Sequence, residues 1–584
     1  MTRLDTARLS GPGRPRRPPL MAQHHVVVSG HYFASQAGMQ ILEAGGNAVD
    51  AGVATGLAID VLESQFVGFG GVAPIMVRIG GAVHVICGVG PWPAAADLSA
   101  IHDRYGGRIP DGVLHTVIPA APANWIEALR RWGTMSFGDV ALAAIRFARD
   151  GFPVYPFFAD IISDKQAEIR KRPSTAAIFL PDGHPPQIGS TFVQADLART
   201  LQYMVDAERA VASRGRSAGL DAAHAAFYRG DVAAMIARHQ REQGGWLNES
   251  DLAGFHARVE APVTSRFGGF DLYGCGAWSQ GPMVLEALNI LDGFDLRGMG
   301  HNTTDYIHAV TESLKLAAAD REAYFGDPDF VDVPLDVLLS PDYAAARRAQ
   351  LDPYRAWPGL PPAGAAFGTA PPPWQPDPSA GSGAELVSEK PSTSFLCVMD
   401  RAGDVFAATP SDGTIGGAVV PGTGITPSMW GSRAYSGLSH PGRIGPGRRP
   451  RMSANPAIAV RDGHVVMPFG SPGSEVLGQA MVQAFLNQAV FGMDPQSAVE
   501  VPRFASYSWP ESMLPHSYRP GVLCVEADVG TEVGDALAAR GHRIEWWPER
   551  KYLAGSVVTI RHDIDSGVKW AGADPRRTAY AVGW

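Results

Sequence analysis

Cysteine is scarce. Cys87, Cys275, Cys397 and Cys524 are the only four in 584 residues, far apart and mostly inside apolar runs. They form neither a metal-ligand pattern nor a disulfide framework, and they fit buried free thiols in a reducing compartment. Charge is thin too: Asp, Glu, Lys and Arg make up 18% of the chain, with a formal net charge of −9. That excess of acid argues against nucleic acid or an anionic membrane as partner. No run of eighteen apolar residues occurs, so no helix is expected to span a bilayer. A G-x-S-x-G elbow and an H-E-x-x-H pair are both missing and the histidines are scattered, which leaves a Ser-His-Asp hydrolase or a zinc hydrolase unsupported. Neither a cofactor nor a metal is expected. Arg3, Arg8, Arg14, Arg16 and Arg17 have no apolar segment behind them, so the start is not a secretory leader. Residues 1–24 read as a disordered basic tail, with Met21 as an alternative start, and a cytoplasmic location follows.

What is present is apolar. Hydrophobic residues reach 45%, enough for a soluble protein with a large core. His25–Ser29 reads as a strand; Ala34–Glu43 reads as a helix stopped by Gly45-Gly46, and Asn47 caps the next helix, with Val49, Val53 and Leu57 on one face. Gly68-Phe69-Gly70-Gly71 lacks the strand-to-helix context of a dinucleotide site. Ala73–Ile79 and Val83–Val89 form a hairpin around Gly80-Gly81. From Ala123 to about Ala344 the pattern is mainly helical, with Thr303 or Thr304 as a cap. Asp327, Asp329, Asp332 and Asp336 are interleaved with Pro328 and Pro334, and read as a turn cluster rather than a calcium loop. Residues 353–392 are rich in Pro, Gly, Ala and Ser, and form a linker between a region 25–352 and a region 393–584. Strands then follow at Thr393–Met399, Val405–Thr409, Ala457–Val460 and Val465–Phe469. After Gly473 a helix carries Leu477, Met481 and Phe485 on one face. Strands, then helices, then strands suit a layered α/β protein with a mainly antiparallel core.

The junction Pro391-Ser392-Thr393-Ser394-Phe395 puts a hydroxyl residue between flexible chain and apolar strand. Taken alone, that is ordinarily a loop entering a strand. A Thr freed there by cleavage would carry its own base, because an α-amine titrates near 7.7–8.0 and can take the hydroxyl proton at neutral pH.

Thr393-Ser394-Phe395-Leu396-Cys397-Val398-Met399-Asp400 resembles the new N-terminus of the γ-glutamyltranspeptidase family. So, in order, do Ala34-Ser35-Gln36-Ala37-Gly38, Gly45-Gly46-Asn47-Ala48-Val49-Asp50-Ala51, Phe227-Tyr228-Arg229-Gly230, Gly326-Asp327-Pro328-Asp329-Phe330-Val331-Asp332, Gly470-Ser471-Pro472-Gly473 and Ala573-Asp574-Pro575-Arg576-Arg577. The likeness spans residue 25 to the C-terminus. It implies the four-layer αββα sandwich of N-terminal nucleophile hydrolases, and self-cleavage between Ser392 and Thr393 into two chains that stay together. It also implies an acyl-enzyme on Thr393. Ser411 supports that nucleophile, with Thr409 as fallback, and the N–H groups of Gly473 and Ser474 receive the oxyanion, Ser474 standing where the family has a second glycine.

The family's amino-acid clamp is missing. Its arginine for the substrate carboxylate falls at Val89, its aspartate for the ammonium near Trp430 or Gly431, and its paired serines at Pro450 and Arg451. Each lost charge-assisted bond is worth about 1.5–3 kcal/mol. Trp430, Arg451, Asp412 and Gly413 are assigned to substrate instead, forming a more apolar pocket with one anion contact; Arg448, Arg449 and Arg451 read as a solvated loop in preference to a ligand site. The expected activity is hydrolysis of a small non-γ-glutamyl amide, as in cephalosporin acylases and oxamate amidohydrolases. A true γ-glutamyl hydrolase, and an uncleaved binding protein on the same scaffold, are the alternatives. Homo-oligomerisation stays open.

Overall fold

Two seven-stranded antiparallel sheets lie face to face. In order across the first run Leu20–Ala22, Val568–Ala573, Val558–Asp563, Val465–Gly470, Ala457–Arg461, Phe270–Gly274 and Val263–Phe267; across the second, Tyr580–Gly583, Val26–Ser29, Leu396–Met399, Val405–Ala408, Ile75–Ile79, Ala82–Ile86 and Val259–Glu260. The computed structural model describes residues 17–375 and 393–584.

Alternation along single strands decides the layers. In Leu396–Met399, Cys397 and Met399 join Val26, Val28, Met76, Ile458, Val466 and Ile560 in the apolar layer between the sheets. Leu396 and Val398 point the other way, into a cluster with Val27 and the helices Ala48–Leu62, Ala121–Trp132 and Phe137–Asp150. On the far side, Leu272, Ala459 and Met467 pack under the helices Gly281–Leu291, Thr304–Tyr324 and Val476–Ala489. Strands covered on both faces read as continuous apolar runs, because successive side chains enter two different cores. The result is helix, sheet, sheet, helix: the αββα sandwich that the resemblance implies. The four cysteines are free and buried.

The helix Ala48–Leu62 is buried along its whole length, and Asn47 and Asp50 close its first turn as a capping box. Thr303, not Thr304, caps the helix Thr304–Tyr324. Each sheet contains strands from both sides of Thr393: Leu396–Met399 pairs with Val26–Ser29, and Val405–Ala408 with Ile75–Ile79. The regions 25–352 and 393–584 are therefore interleaved, not separate lobes. None of the described helices is long and apolar enough to cross a membrane.

Three expectations need correction. Residues 17–24 of the tail are packed: the Arg17 guanidinium donates to the Ala579 carbonyl at 2.5 Å, and Leu20–Ala22 forms the edge strand on Val568–Ala573. An edge position needs only three residues, too few to register as a strand in the pattern. The helical stretch after Ala123 is interrupted by the hairpin Val263–Phe267 and Phe270–Gly274, turning at Gly268-Gly269, both with positive φ. The linker begins packed, because the Gly364 N–H donates to Asp320 and the Trp357 N–H to Glu312. Residues 376–392 of that linker, Ser392 among them, lie outside the described residues.

Candidate active site

Thr393 and Ser394 enter the second sheet just before Leu396–Met399, both buried. Thr393 bridges antiparallel to Ser411, and their hydroxyl oxygens lie 2.8 Å apart. The Ser394 N–H donates to the Pro410 carbonyl at 2.9 Å. Thr409 does not share that contact: its backbone N–H bonds Pro74, and its hydroxyl has no partner among the described residues. Strand alternation, two residues per repeat, turns Ser411 toward Thr393.

Ser411–Asp412 then pairs with Val67–Val72, the strand that contains Gly68-Phe69-Gly70-Gly71, and its register shifts between the two residues. At this irregularity Asp412 takes a φ of 77°, a left-handed conformation that costs a non-glycine residue about 1–3 kcal/mol. The twist points Asp412 and Gly413 into a cavity of about 440 Å³, also lined by Gln65, Phe66, His115, Met429, Arg433 and Tyr552, with Arg108, Lys165, Glu168 and Arg172 among its other walls. Asp412 accepts from the Ser428 hydroxyl at 2.7 Å; burial raises its carboxyl, and Arg433 opposes the rise. Burial pulls Arg433 down to about 10, which leaves it charged at neutral pH. Burial likewise holds His115 at about 4 and neutral.

The turn after Val465–Gly470 meets the same end of the sandwich, since Phe395 packs directly on Gly470. Gly473 has a φ of 134°, which side-chain-bearing residues rarely adopt, and Ser474 a φ of 52°. Their carbonyls accept from Val476 and Leu477 as the helix Val476–Ala489 begins. Helix-start N–H groups with the positive end of the dipole suit a developing oxyanion. Glu475 anchors this turn from below, receiving Arg321 at 2.5 Å, the Trp509 indole at 3.1 Å and the Ser512 N–H at 2.8 Å.

Of the residues assigned to substrate, Asp412 and Gly413 line the cavity and Trp430 and Arg451 do not; Thr393, Ser411, Gly473 and Ser474 also lie outside its lining. Trp430 is fully buried in the layer between the sheets and is not among the cavity's lining residues. The Arg433 guanidinium, 3.5 Å above its ring, covers it and takes the place on the wall. Arg451 is also fully buried and away from the cavity: it donates to Glu322 at 2.7 Å, the Tyr435 hydroxyl at 2.8 Å and the Arg321 carbonyl at 3.1 Å. Arg451, Glu322, Arg321 and Glu475 thus form one buried chain of charges under the turn at Gly473 and Ser474. Nor is the arginine run a solvated loop, because Arg449 pairs with Asp327 and Glu260. Val89 packs between the sheets.

The residues missed on the cavity side are Arg433, Gln65, Phe66 and His115. Only Arg433 had a usable signal, a cation three residues past Trp430. Arg577 was legible as part of a family block, yet its contact, a bond to the Thr393 carbonyl at 3.0 Å, was not.

Among the described residues His308, Glu312 and His542 present ligand-type atoms within 4.8 Å of one another. The imidazoles already bond each other at 2.9 Å, and Lys315 holds Glu312 at 2.7 Å. The positive charge that a metal would bring is supplied by the lysine.

Comparison with known proteins agrees with this geometry. The family model described as Gamma-glutamyltranspeptidase matches residues 34–584. The Acylase ACY 1 proenzyme of Pseudomonas sp. (strain V22) is 31% identical over 567 residues, covering 94% of this chain and 91% of its own. The Glutathione hydrolase proenzyme of Bacillus subtilis (strain 168) is 30% identical over 576 residues, covering 96% and 91%. The crystal structure of a cephalosporin acylase from Bacillus halodurans superposes with a TM-score of 0.84 at 26% identity, over 98% of each chain. With the sandwich, the paired hydroxyls and the matched length in hand, the chain belongs to the gamma-glutamyltranspeptidase family and is an amidohydrolase of the N-terminal nucleophile class.

Proposed function

We propose that the chain cleaves itself between Ser392 and Thr393 and then hydrolyses a non-γ-glutamyl acyl amide through Thr393. The observation that carries this reading is the Thr393–Ser411 hydroxyl contact at 2.8 Å, in the strand that runs directly into the cavity wall at Asp412 and Gly413. The Thr393 hydroxyl attacks the substrate carbonyl and its proton passes to the α-amine of the freed terminus. The N–H groups of Gly473 and Ser474 stabilise the oxyanion. The amine product leaves with the proton, and water attacks the Thr393 ester, returning the hydroxyl and releasing the acid. The two cleaved chains stay together because each sheet is built from strands of both.

Arg433 supports the choice of acyl group. A γ-glutamyl group would bring an ammonium into a cavity with a guanidinium on its wall; at about 5 Å and an effective dielectric near 20, two like charges cost about 3 kcal/mol. An acyl chain ending in a carboxylate and lacking the ammonium gains there instead. The more apolar pocket expected around Trp430 is not formed by that residue, which lies outside the cavity's lining. Relatives named as acylases accord with this reading. Asp412 on the same wall favours the second reading, a γ-glutamyl hydrolase, because its carboxyl can receive an ammonium.

Glutaryl anilide and γ-glutamyl anilide differ only by that ammonium. Glutaryl anilide is expected to show the higher kcat/KM by about 100-fold, the equivalent of about 3 kcal/mol. A preference for γ-glutamyl anilide establishes the second reading. N-terminal sequencing of the small chain should start at Thr393; a start at Ser394, or a single uncut chain, refutes the first.

A further inference from the structure

We propose that Arg577 is a positioning residue: with Glu63 it clamps Thr393 and Ser394, so that cleavage does not free the nucleophile from Ser411. This rests on the reading of Thr393 as the nucleophile. Arg577 Nη1 donates to the Thr393 carbonyl at 3.0 Å. Glu63, just past the helix Ala48–Leu62, accepts from the Ser394 hydroxyl. The Ser394 hydroxyl and the Glu63 carboxylate both lie over the α-carbon of Gly30, where no side chain would fit. Two opposite buried charges therefore grip two consecutive residues.

The surroundings are unlike those of a charge retained for stability. Nε and Nη2 of Arg577 have no partner among the described residues. Its guanidinium lies 4.9 Å from the centre of the Phe66 ring, and Phe66 is a wall of the cavity. Burial pulls Arg577 down to about 10 while Glu63 opposes, and burial raises Glu63 against the Ser394 bond and Arg577. Burial raises the Glu63 carboxyl and, among the described residues, no direct ion pair joins it to Arg577, so losing Arg577 strands less charge than losing a fully paired arginine, and its effect lies in what it holds. Before cleavage, peptide bonds fix Thr393 on both sides. Afterwards one side is free, and terminal residues fray unless tied down. The bonds at the Thr393 carbonyl and at Ser394 tie down what the cut releases.

The test uses matured enzyme and an anilide substrate. Arg577→Gln should lower kcat about 10–100-fold, as misplacement of a reacting group does, with KM within about threefold of wild type. Melting of the same substitution in the uncleavable Thr393→Ala chain should stay within about 2 °C. Arg577→Lys should recover most of the loss, since an ammonium can still donate to the carbonyl. Ser394→Ala should lower kcat several-fold, and it carries the test if Arg577→Gln does not fold. Arg577→Gln chains that stay uncut while Arg577→Lys chains are cut would show the clamp acting already on the precursor. An unchanged kcat in Arg577→Gln and Ser394→Ala overturns the clamp alone, as does a loss that appears in KM or that lysine leaves unrepaired. A wild-type chain that is never cut overturns the clamp and the functional reading together.

Discussion

Arg451 and Arg577 are both buried arginines, yet the protein treats them differently. Arg451 spends its two Nη atoms on Glu322, Tyr435 and a backbone carbonyl, inside a chain of charges that ends at Glu475. Burial alone would raise the Glu322 carboxyl, but Arg451 and Arg321 outweigh it and hold it well below the usual range. Around Arg577 the balance is reversed: Glu63 stays raised by burial, and two guanidinium nitrogens find no partner among the described residues. One centre is compensated by ion pairs and sits behind the turn at Gly473 and Ser474. The other is left under-compensated where Thr393 begins. Arg451 leaves only Nε without a partner among the described residues, whereas Arg577 leaves Nε and Nη2, so charge is less satisfied beside Thr393.

Substitutions separate the two centres. The largest effect is at the nucleophile: Thr393→Ala should give one uncut chain with no measurable hydrolysis, read on a denaturing gel and by anilide assay. Two bands of unchanged size would remove Thr393 from the site.

In that uncut background, Arg451→Met should cost about 3–5 kcal/mol, because Glu322 is left buried and short of a partner. The melting temperature then falls by several degrees, while Arg577→Gln leaves it nearly unchanged; equal losses would erase the distinction. The Arg451 effect should also depend on pH. The Glu322 carboxyl is depressed in the folded state, so its contribution is fully present above the unfolded value of about 4.3 and is lost as pH falls through the lower folded value. Melting of the wild-type and Arg451→Met chains should converge on acidification. A gap that is constant down to pH 3 would show that charge is not its source.

Arg433→Gln should lower the preference for glutaryl over γ-glutamyl anilide about 10- to 100-fold, chiefly through KM, since it removes binding of the acyl end. An unmoved ratio would take Arg433 out of substrate recognition. Ser411→Ala should slow hydrolysis or maturation about tenfold, the scale of a lost hydrogen bond in a buried site. Wild-type rates for both steps would dismiss the pairing. The smallest change is Ser474→Gly, which relieves a left-handed serine and should add at most about 1 kcal/mol of stability with little change in turnover. A clear loss of activity there would mean that the Ser474 side chain itself takes part.

Local rules made several features readable from the chain alone. Asn47 with Asp50 announces a helix start, because a short polar side chain satisfies free N–H groups a few residues away. Leu396-Cys397-Val398-Met399 reads as a strand, and the hydroxyls of Thr393 and Ser411 fall in recognisable blocks. Hydrogen bonding to near neighbours and short-range alternation are encoded within a few residues. The strand Leu20–Ala22 and the hairpin around Gly268 were lost, because pairing partners lie hundreds of residues away or supply most of the burial. Charges were harder still. Arg433, Arg451 and Arg577 look alike in the sequence, each a cation near a family block. Only the tertiary structure puts the first on the cavity wall, the second against Glu322 and the third on the Thr393 carbonyl. What a long charged side chain does depends on which groups the fold brings within its reach and how much water it removes, and neither is written in the residues beside it.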